Sequence, residues 1–274
     1  MSPTQTDKAR LFQSLHQREN PLLIPNPWDI GSARILAQLG FEALATSSAA
    51  SAAALGRRDG RITRDGALTH ARSIVGATDL PVSADLENGF SDEPSLVAQT
   101  ILLAAETGLV GASVEDSTGN KDKPLYDIGH ATERIAAAVE AARSLPYPFT
   151  LTGRAENFLH GNFSLDDAIQ RLVAYEKAGA DVLFAPALPD LAAVRAVCDA
   201  VSKPVNFMVG IKGKSFTVAE LIEAGVKRIS FGASFHRAAM TGLVDAAREA
   251  KERGTFHYLD RTLTKQELNR FLPE

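Results

Sequence analysis

One unit recurs along this chain and limits what it can fold into: an amphipathic helical stretch, a glycine, then a short apolar or β-branched run that closes in polar residues. It reads ARILAQLGFEALATSS, ILLAAETGLVGASVED, VAYEKAGADVLFAPAL and LIEAGVKRISFGAS. In each, the glycine takes the left-handed position that ends a helix, and the run behind it has the apolar character of a parallel strand buried on both faces. Counting such runs predicts eight strands, over residues 22–26, 43–48, 81–87, 111–116, 149–156, 181–187, 204–209 and 228–234. Helix starts are marked as well: Ser164 with Asp167 nearly completes a capping box, and Thr217 with Glu220 completes one. Eight βα units in about 250 residues predict an α/β chain folded as a single (β/α)8 TIM-type barrel, over residues 1–274, better than an open sheet with a second domain. No proline- or serine-rich linker interrupts the pattern. The tail, FHYLDRTLTKQELNRFLPE, carries another capping box at Thr264 and Glu267, so residues 257–274 read as an extra C-terminal helix packed on the barrel or on a neighbouring subunit. The alanine-rich ASAAAL stretch predicts close packing near the barrel mouth.

Composition narrows the function classes. With 45% hydrophobic and 23% charged residues, the 274-residue chain can build a large core, and a net charge of -4 provides no basic stripe for nucleic acid or an anionic membrane. A small anionic substrate remains compatible if positive charge is local. The single cysteine, Cys198, rules out an intrachain disulfide and favours a cytoplasmic setting. No segment has the unbroken apolar length of a signal peptide core or a membrane span.

In a barrel of this kind the chemistry sits at the carboxyl ends of the strands. The stretch PVSADLENGF ends a strand in Asp85 and Glu87, which on an extended chain project from one face and need a cation or a shared proton. The second strand delivers Thr46, Ser47 and Ser48; the fourth, Glu115 and Asp116; the fifth, Arg154 and Glu156; the seventh, Asn206. Asp85, Glu87 and Glu115 on adjacent strands, with hydroxyls on one side and an arginine on the other, predict a hard divalent cation beside an anionic ligand. Magnesium suits so sparse a set of oxygen ligands, whereas the six dispersed histidines leave zinc without nitrogen ligands. Arg154 reads either as a buried ion-pair partner or as a bidentate clamp for a substrate carboxylate, and its place at a strand end favours the clamp. A Schiff-base aldolase is disfavoured, because none of the eight runs contains lysine.

Taken in order, TSS at 46–48, LGRRD ending in Asp59, DLE at 85–87, VED at 114–116, GRAE around Arg154 and VNF around Asn206 resemble the isocitrate lyase and phosphoenolpyruvate mutase superfamily. The likeness runs from about Leu22 to about Phe256, and NPWDIGSARIL resembles the family's lead into its first barrel helix, with Trp28 and Asp29 facing the mouth. The resemblance implies Mg2+, with Mn2+ as a substitute, held directly by Asp85 and through water by Glu87 and Glu115. It implies a small carboxylate substrate bound by Trp28, Thr46, Ser47, Ser48, Arg154 and Asn206, with Asp59 and Arg154 catalytic, and an enolate-like species stabilised by metal and arginine. It also implies a homodimer or homotetramer with exchanged C-terminal helices.

The chain departs from the family where substrate is chosen. The stretch EDSTGNKDKPLYD has no cysteine where lyases of the family carry their catalytic acid, and its Asn120, Lys121 and Lys123 do not align cleanly with the phosphonate-processing members. FAPA places Pro186 where many lyases have glutamate, and no further cluster of basic residues is evident at the mouth. The expected activity is therefore Mg-dependent cleavage of a C–C bond in a small 2-oxo or 2-hydroxy acid, oxaloacetate-like rather than tricarboxylic. The alternatives are P–C chemistry on a phosphonopyruvate-like compound and a non-catalytic 2-oxo acid-binding protein.

Overall fold

The computed structural model describes residues 2–272; Met1 and residues 273 and 274, the end of the expected tail, lie outside the described residues. All eight runs form parallel strands: β1 (Leu22–Ile24), β2 (Leu44–Ala45), β3 (Val82–Asp85), β4 (Gly111–Glu115), β5 (Thr150–Arg154), β6 (Val182–Phe184), β7 (Val205–Met208) and β8 (Arg228–Ser230). The sheet order β1-β8-β7-β6-β5-β4-β3-β2 pairs β2 to β8 in sequence order and returns β1 to the side of β8. Between β1 and β2 one backbone bond, Ala45 N–H to the Pro25 carbonyl at 3.0 Å, bridges the remaining gap. The helices are α1 (Gln5–Leu15), α2 (Ile30–Gln38), α3 (Ser48–Ala54), α4 (Arg64–Val75), α5 (Pro94–Ala105), α6 (Ile128–Arg143), α7 (Leu165–Lys177), α8 (Leu191–Ala200), α9 (Val218–Glu223), α10 (Ser234–Arg248) and α11 (Lys265–Arg270).

The four glycines of the recurring unit, Gly40, Gly108, Gly179 and Gly225, have φ of 87°, 92°, 100° and 91°. A side chain at that φ strains the backbone, which is why glycine recurs there. Ser164 caps α7 by accepting the Asp167 N–H, and Thr217 and Thr264 form reciprocal capping boxes with Glu220 and Glu267. α1 closes the amino ends of the strands, burying Ala9, Phe12 and Leu15 against Leu22, Ile24, Ala43 and Val110. Losing an aromatic ring from such a packed plug costs about 3–5 kcal/mol.

The strands stop earlier than their apolar runs suggest, and each stop serves the mouth. β2 ends at Ala45 because Ser47 becomes the N-cap of α3, accepting the Ala50 N–H at 3.4 Å. β3 ends at Asp85 because Glu87 adopts a left-handed φ of 49°. The C-terminal arm differs more. It is not one helix over 257–274: a 3₁₀ turn (His257–Arg261) precedes the short α11, and neither element buries a residue. α10 itself buries only His236 and leaves its Leu243 well exposed, as are Phe256, Leu259 and Leu263 downstream. No described helix is long and apolar enough to cross a membrane.

Candidate active site

The strand ends open into two adjoining cavities. The inner one, of about 360 Å³, is lined by Thr46, Ser47, Ser48, Asp59, Asp85, Arg154 and Asn206. The outer one, of about 1060 Å³, is bordered by Glu87, Glu115 and Glu156 and shares Ser48, Asp59 and Arg154 with the inner. Asp59 stands on the exposed loop between α3 and α4, at the rim of both. Of the residues expected to bind metal or substrate or to act in catalysis, Trp28 alone lines neither cavity, and Asp29, expected to face the mouth, instead caps α2. The Trp28 ring stands edge-on to His236 at 5.2 Å, and its carbonyl accepts from His70 Nε2 at 2.9 Å. The loop after β4 folds on itself: Thr118 N–H donates to the Pro124 carbonyl at 2.9 Å, and Lys121 and Lys123 are exposed and line neither cavity.

Asp85 and Glu87 meet the mouth, but not by strand alternation. The chain turns left-handed at Glu87, whose N–H donates to Asp85 Oδ1 at 3.1 Å and whose carbonyl accepts the Glu115 N–H at 2.9 Å. A non-glycine residue held at that φ is backbone strain stored at a site. Asp85 Oδ2 accepts the Ser48 N–H at 3.2 Å, and the Asp85 N–H donates to Thr46 Oγ1 at 3.0 Å, so the hydroxyl strand and the acid strand are tied together.

Arg154 is not a free clamp. Its Nε donates to Glu156 Oε1 at 2.5 Å, and its Nη1 lies 3.6 Å from Asp85 Oδ2 and 3.5 Å from Glu115 Oε2. Burial alone would lower the guanidinium's pKa; Glu156, Glu115 and Asp85 outweigh it and hold the charge in place. Still, one cation stands among four acids. Burial, reinforced by Asp85 and Asp59, pushes the Glu87 carboxyl up to about 7. Burial, with Glu156 next, raises Glu115 well above the ordinary carboxylate range. Glu156 is raised by its burial against the pull of Arg154. The site gathers more carboxyl groups than Arg154 alone can keep ionised.

That deficit fits a divalent cation. The donors that face it are carboxylate and hydroxyl oxygens, with no cysteine, and His160 stands 4.0 Å from Glu156 on the outer side. Among the described residues no three His, Cys, Asp or Glu side chains form a ready-made metal cage. This suits an ion that takes one or two direct carboxylates and keeps its waters, as magnesium does.

Four residues escaped the sequence reading. Glu156 was counted at its strand end but not assigned to the site. Arg228 lines the inner cavity from the first residue of β8, and Arg237 borders it from α10, so the mouth has more positive charge than expected. Arg228 opens the apolar run RISFGAS instead of ending it, so the strand-end cue that singled out Arg154 passes over it. Arg134, fully buried on α6, donates to the carbonyls of Asn88, Ser91 and Glu115 and so fixes the turn that carries Glu87. Nothing in its local sequence separates it from a surface helix arginine.

The family described as phosphoenolpyruvate phosphomutase matches residues 12–251. The chain belongs to the phosphoenolpyruvate mutase and isocitrate lyase superfamily. It is 30% identical over 271 residues to the 2-methylisocitrate lyase of Escherichia coli strain K12, covering 95% of this chain and 90% of that one. A protein of Burkholderia cenocepacia J2315, provisionally called a lyase/mutase, has 51% identity and a TM-score of 0.96 over 98% of this chain and 97% of its own. A 2,3-dimethylmalate lyase of the superfamily has 26% identity and a TM-score of 0.86, over 97% and 95%. As a superfamily member the chain is an enzyme of the lyase and mutase type.

Proposed function

We propose that this enzyme is a Mg2+-dependent C–C bond lyase or decarboxylase that acts on a small 2-oxo or 2-hydroxy carboxylic acid of oxaloacetate size through an enolate-like intermediate. The observation that carries the proposal is the surplus of buried carboxylates around Arg154 beside a cavity of about 360 Å³. Asp85 would hold the ion directly, with Glu87 and Glu115 acting through its waters; Mn2+ meets the same requirements. When bound, the ion supplies Lewis-acid stabilisation of negative charge on oxygen. Arg154, already fixed by three acids, faces the same cavity and stabilises charge that develops there without having to reorganise. Thr46, Ser47, Ser48 and Asn206 present hydrogen-bonding groups to the substrate. Asp59, at the rim, is placed to give or take a proton at the reacting carbon.

Decarboxylation is the reaction least demanding of this site. Carbon dioxide leaves with no proton transferred, and the remaining enolate takes its proton from water afterwards. Lysis of a tricarboxylate needs a positioned acid, worth a factor of about 100 to 10,000 in rate. The loop after Asp116 has no cysteine to serve as one, and Pro186 is buried after β6.

The test is a steady-state comparison of oxaloacetate, methylisocitrate and phosphonopyruvate at equal Mg2+, read by NMR. The proposal predicts chelator-sensitive loss of carbon dioxide or acetate from oxaloacetate, at least about 100-fold faster than methylisocitrate cleavage. Faster methylisocitrate cleavage, release of phosphate from phosphonopyruvate, or binding without turnover of any of the three would overturn it.

A further inference from the structure

Arg154 and Arg228 both line the inner cavity, and their surroundings are opposite. Arg228 is only 5% exposed, and its Nη1 donates to Thr152 Oγ1 at 3.1 Å. Its Nε has no partner, and among the described residues no acid forms an ion pair with it. Strand register sets Asn206 directly opposite Arg228. Asn206 is 2% exposed, donates through Nδ2 to Ser230 Oγ at 3.0 Å, and leaves Oδ1 without a partner. Turning that amide over lets Ser230 donate to its oxygen and leaves the Nδ2–H groups as the unpartnered donors.

A buried guanidinium with no counter-charge is costly, and water in the cavity can meet its hydrogen bonds but not its charge. Burial lowers its pKa to about 10, which leaves it a cation at neutral pH. The inner cavity is therefore polarised, with acids and a cation site on one wall and an uncompensated arginine with hydrogen-bonding neighbours on another. A monoanionic 2-oxo acid satisfies only the first.

We propose that Arg228 receives a second carboxylate of the substrate, so that the enzyme selects dicarboxylates, with Asn206 beside it as a further hydrogen-bonding contact. This rests on the reading of the mouth as a magnesium and 2-oxo acid site, and it names the substrate class of that site. The carboxylate next to the 2-oxygen sits at the metal side, and the remote one reaches Arg228. Thr152, through its bond to Nη1, is a positioning residue.

The experiment is titration calorimetry in Mg2+ with malate, 2-hydroxybutanoate and oxalate, on the wild type, Arg228→Gln and Arg228→Lys. Malate and 2-hydroxybutanoate share a 2-hydroxy acid head and differ in whether the far end is carboxylate or methyl. The wild type should bind malate at least about tenfold more tightly than 2-hydroxybutanoate. Arg228→Gln should bind the two alike, Arg228→Lys should fall between, and oxalate should bind all three proteins equally. A wild type with no preference for malate overturns the proposal without reference to any variant, as does an Arg228→Gln protein that keeps the preference. If Arg228→Gln does not fold, Arg228→Lys and the wild-type preference decide. If oxalate fails to bind the wild type, the magnesium reading is lost, and an Arg228-dependent malate preference still establishes the dicarboxylate subsite.

Discussion

Glu115 and Asp116 are neighbours on one strand end, yet the barrel treats their carboxylates in opposite ways. Asp116 points outward and is 2% exposed; it accepts from Tyr175 OH at 2.6 Å, Arg171 Nη1 at 3.0 Å and the Glu156 N–H at 2.8 Å. Arg171 is held in turn by Asp167 at 2.9 Å and the Tyr126 carbonyl at 2.9 Å. That network is closed: the Asp116 carboxylate has an arginine, a phenol and a backbone N–H donating to it, and it joins β4 to α7. Glu115 points inward and shares one arginine with Asp85 and Glu156. Both side chains are largely withdrawn from solvent, Glu115 with 15% of its surface exposed. Compensation is what separates them, so an uncompensated buried acid marks function where a compensated one marks structure.

The largest expected effect breaks the closed side. Asp116→Ala leaves Arg171 and the Tyr175 hydroxyl without their shared acceptor, and should cost about 3–5 kcal/mol of stability in urea unfolding. Glu115→Gln in metal-free protein should cost little or stabilise, since burial already favours the neutral form of that carboxyl. Equal losses in the two variants would erase the distinction. Next is Arg154→Lys, which keeps a charge but loses the planar fork between Glu156, Asp85 and Glu115. Oxalate affinity in Mg2+ should drop about tenfold or more, about 1.4 kcal/mol. Unaltered oxalate affinity with a lowered melting temperature would move Arg154 to the structural side.

A smaller effect lies in the pH dependence. The Glu87 carboxyl is pushed up to about 7 in the folded protein, so the native state holds this proton where the unfolded chain has released it. Its contribution is full below the ordinary carboxylate value near 4.5 and is lost as pH rises through about 7. In chelator, Glu87→Gln should therefore gain about 1 kcal/mol relative to wild type between pH 5 and pH 8, after allowance for solvent screening. A wild-type minus variant difference that is flat across that window would show that the mouth is already balanced without metal.

The fold was legible in the sequence because glycine placement and apolar runs are local signals, and all eight strands follow from them. The acids of the mouth were legible by type and order. Their geometry was not, because the left-handed turn at Glu87 depends on Arg134, which is distant in sequence and bonded to the turn's own carbonyls. Asp116's closed network was hidden for the same reason, its partners being 55 and 59 residues away. The C-terminal arm was legible only in its caps. Whether apolar residues such as Leu243 at 61% and Phe256 at 59% exposure meet the barrel or another chain is not written in their spacing. We read this surface as covered by a second copy of the chain. Truncation near Thr255 should abolish a dimer or tetramer in light scattering, and a monomeric full-length protein would refute that reading.

We propose that the inward acids form a cation site and that the outward acid does not. Isothermal titration with Mg2+ tests it on the wild type, Asp85→Asn, Glu87→Gln and Asp116→Asn. The wild type should bind, Asp85→Asn should lose about tenfold or more, Glu87→Gln less, and folded Asp116→Asn should bind as the wild type does. Unchanged magnesium affinity in both Asp85→Asn and Glu87→Gln would contradict the account.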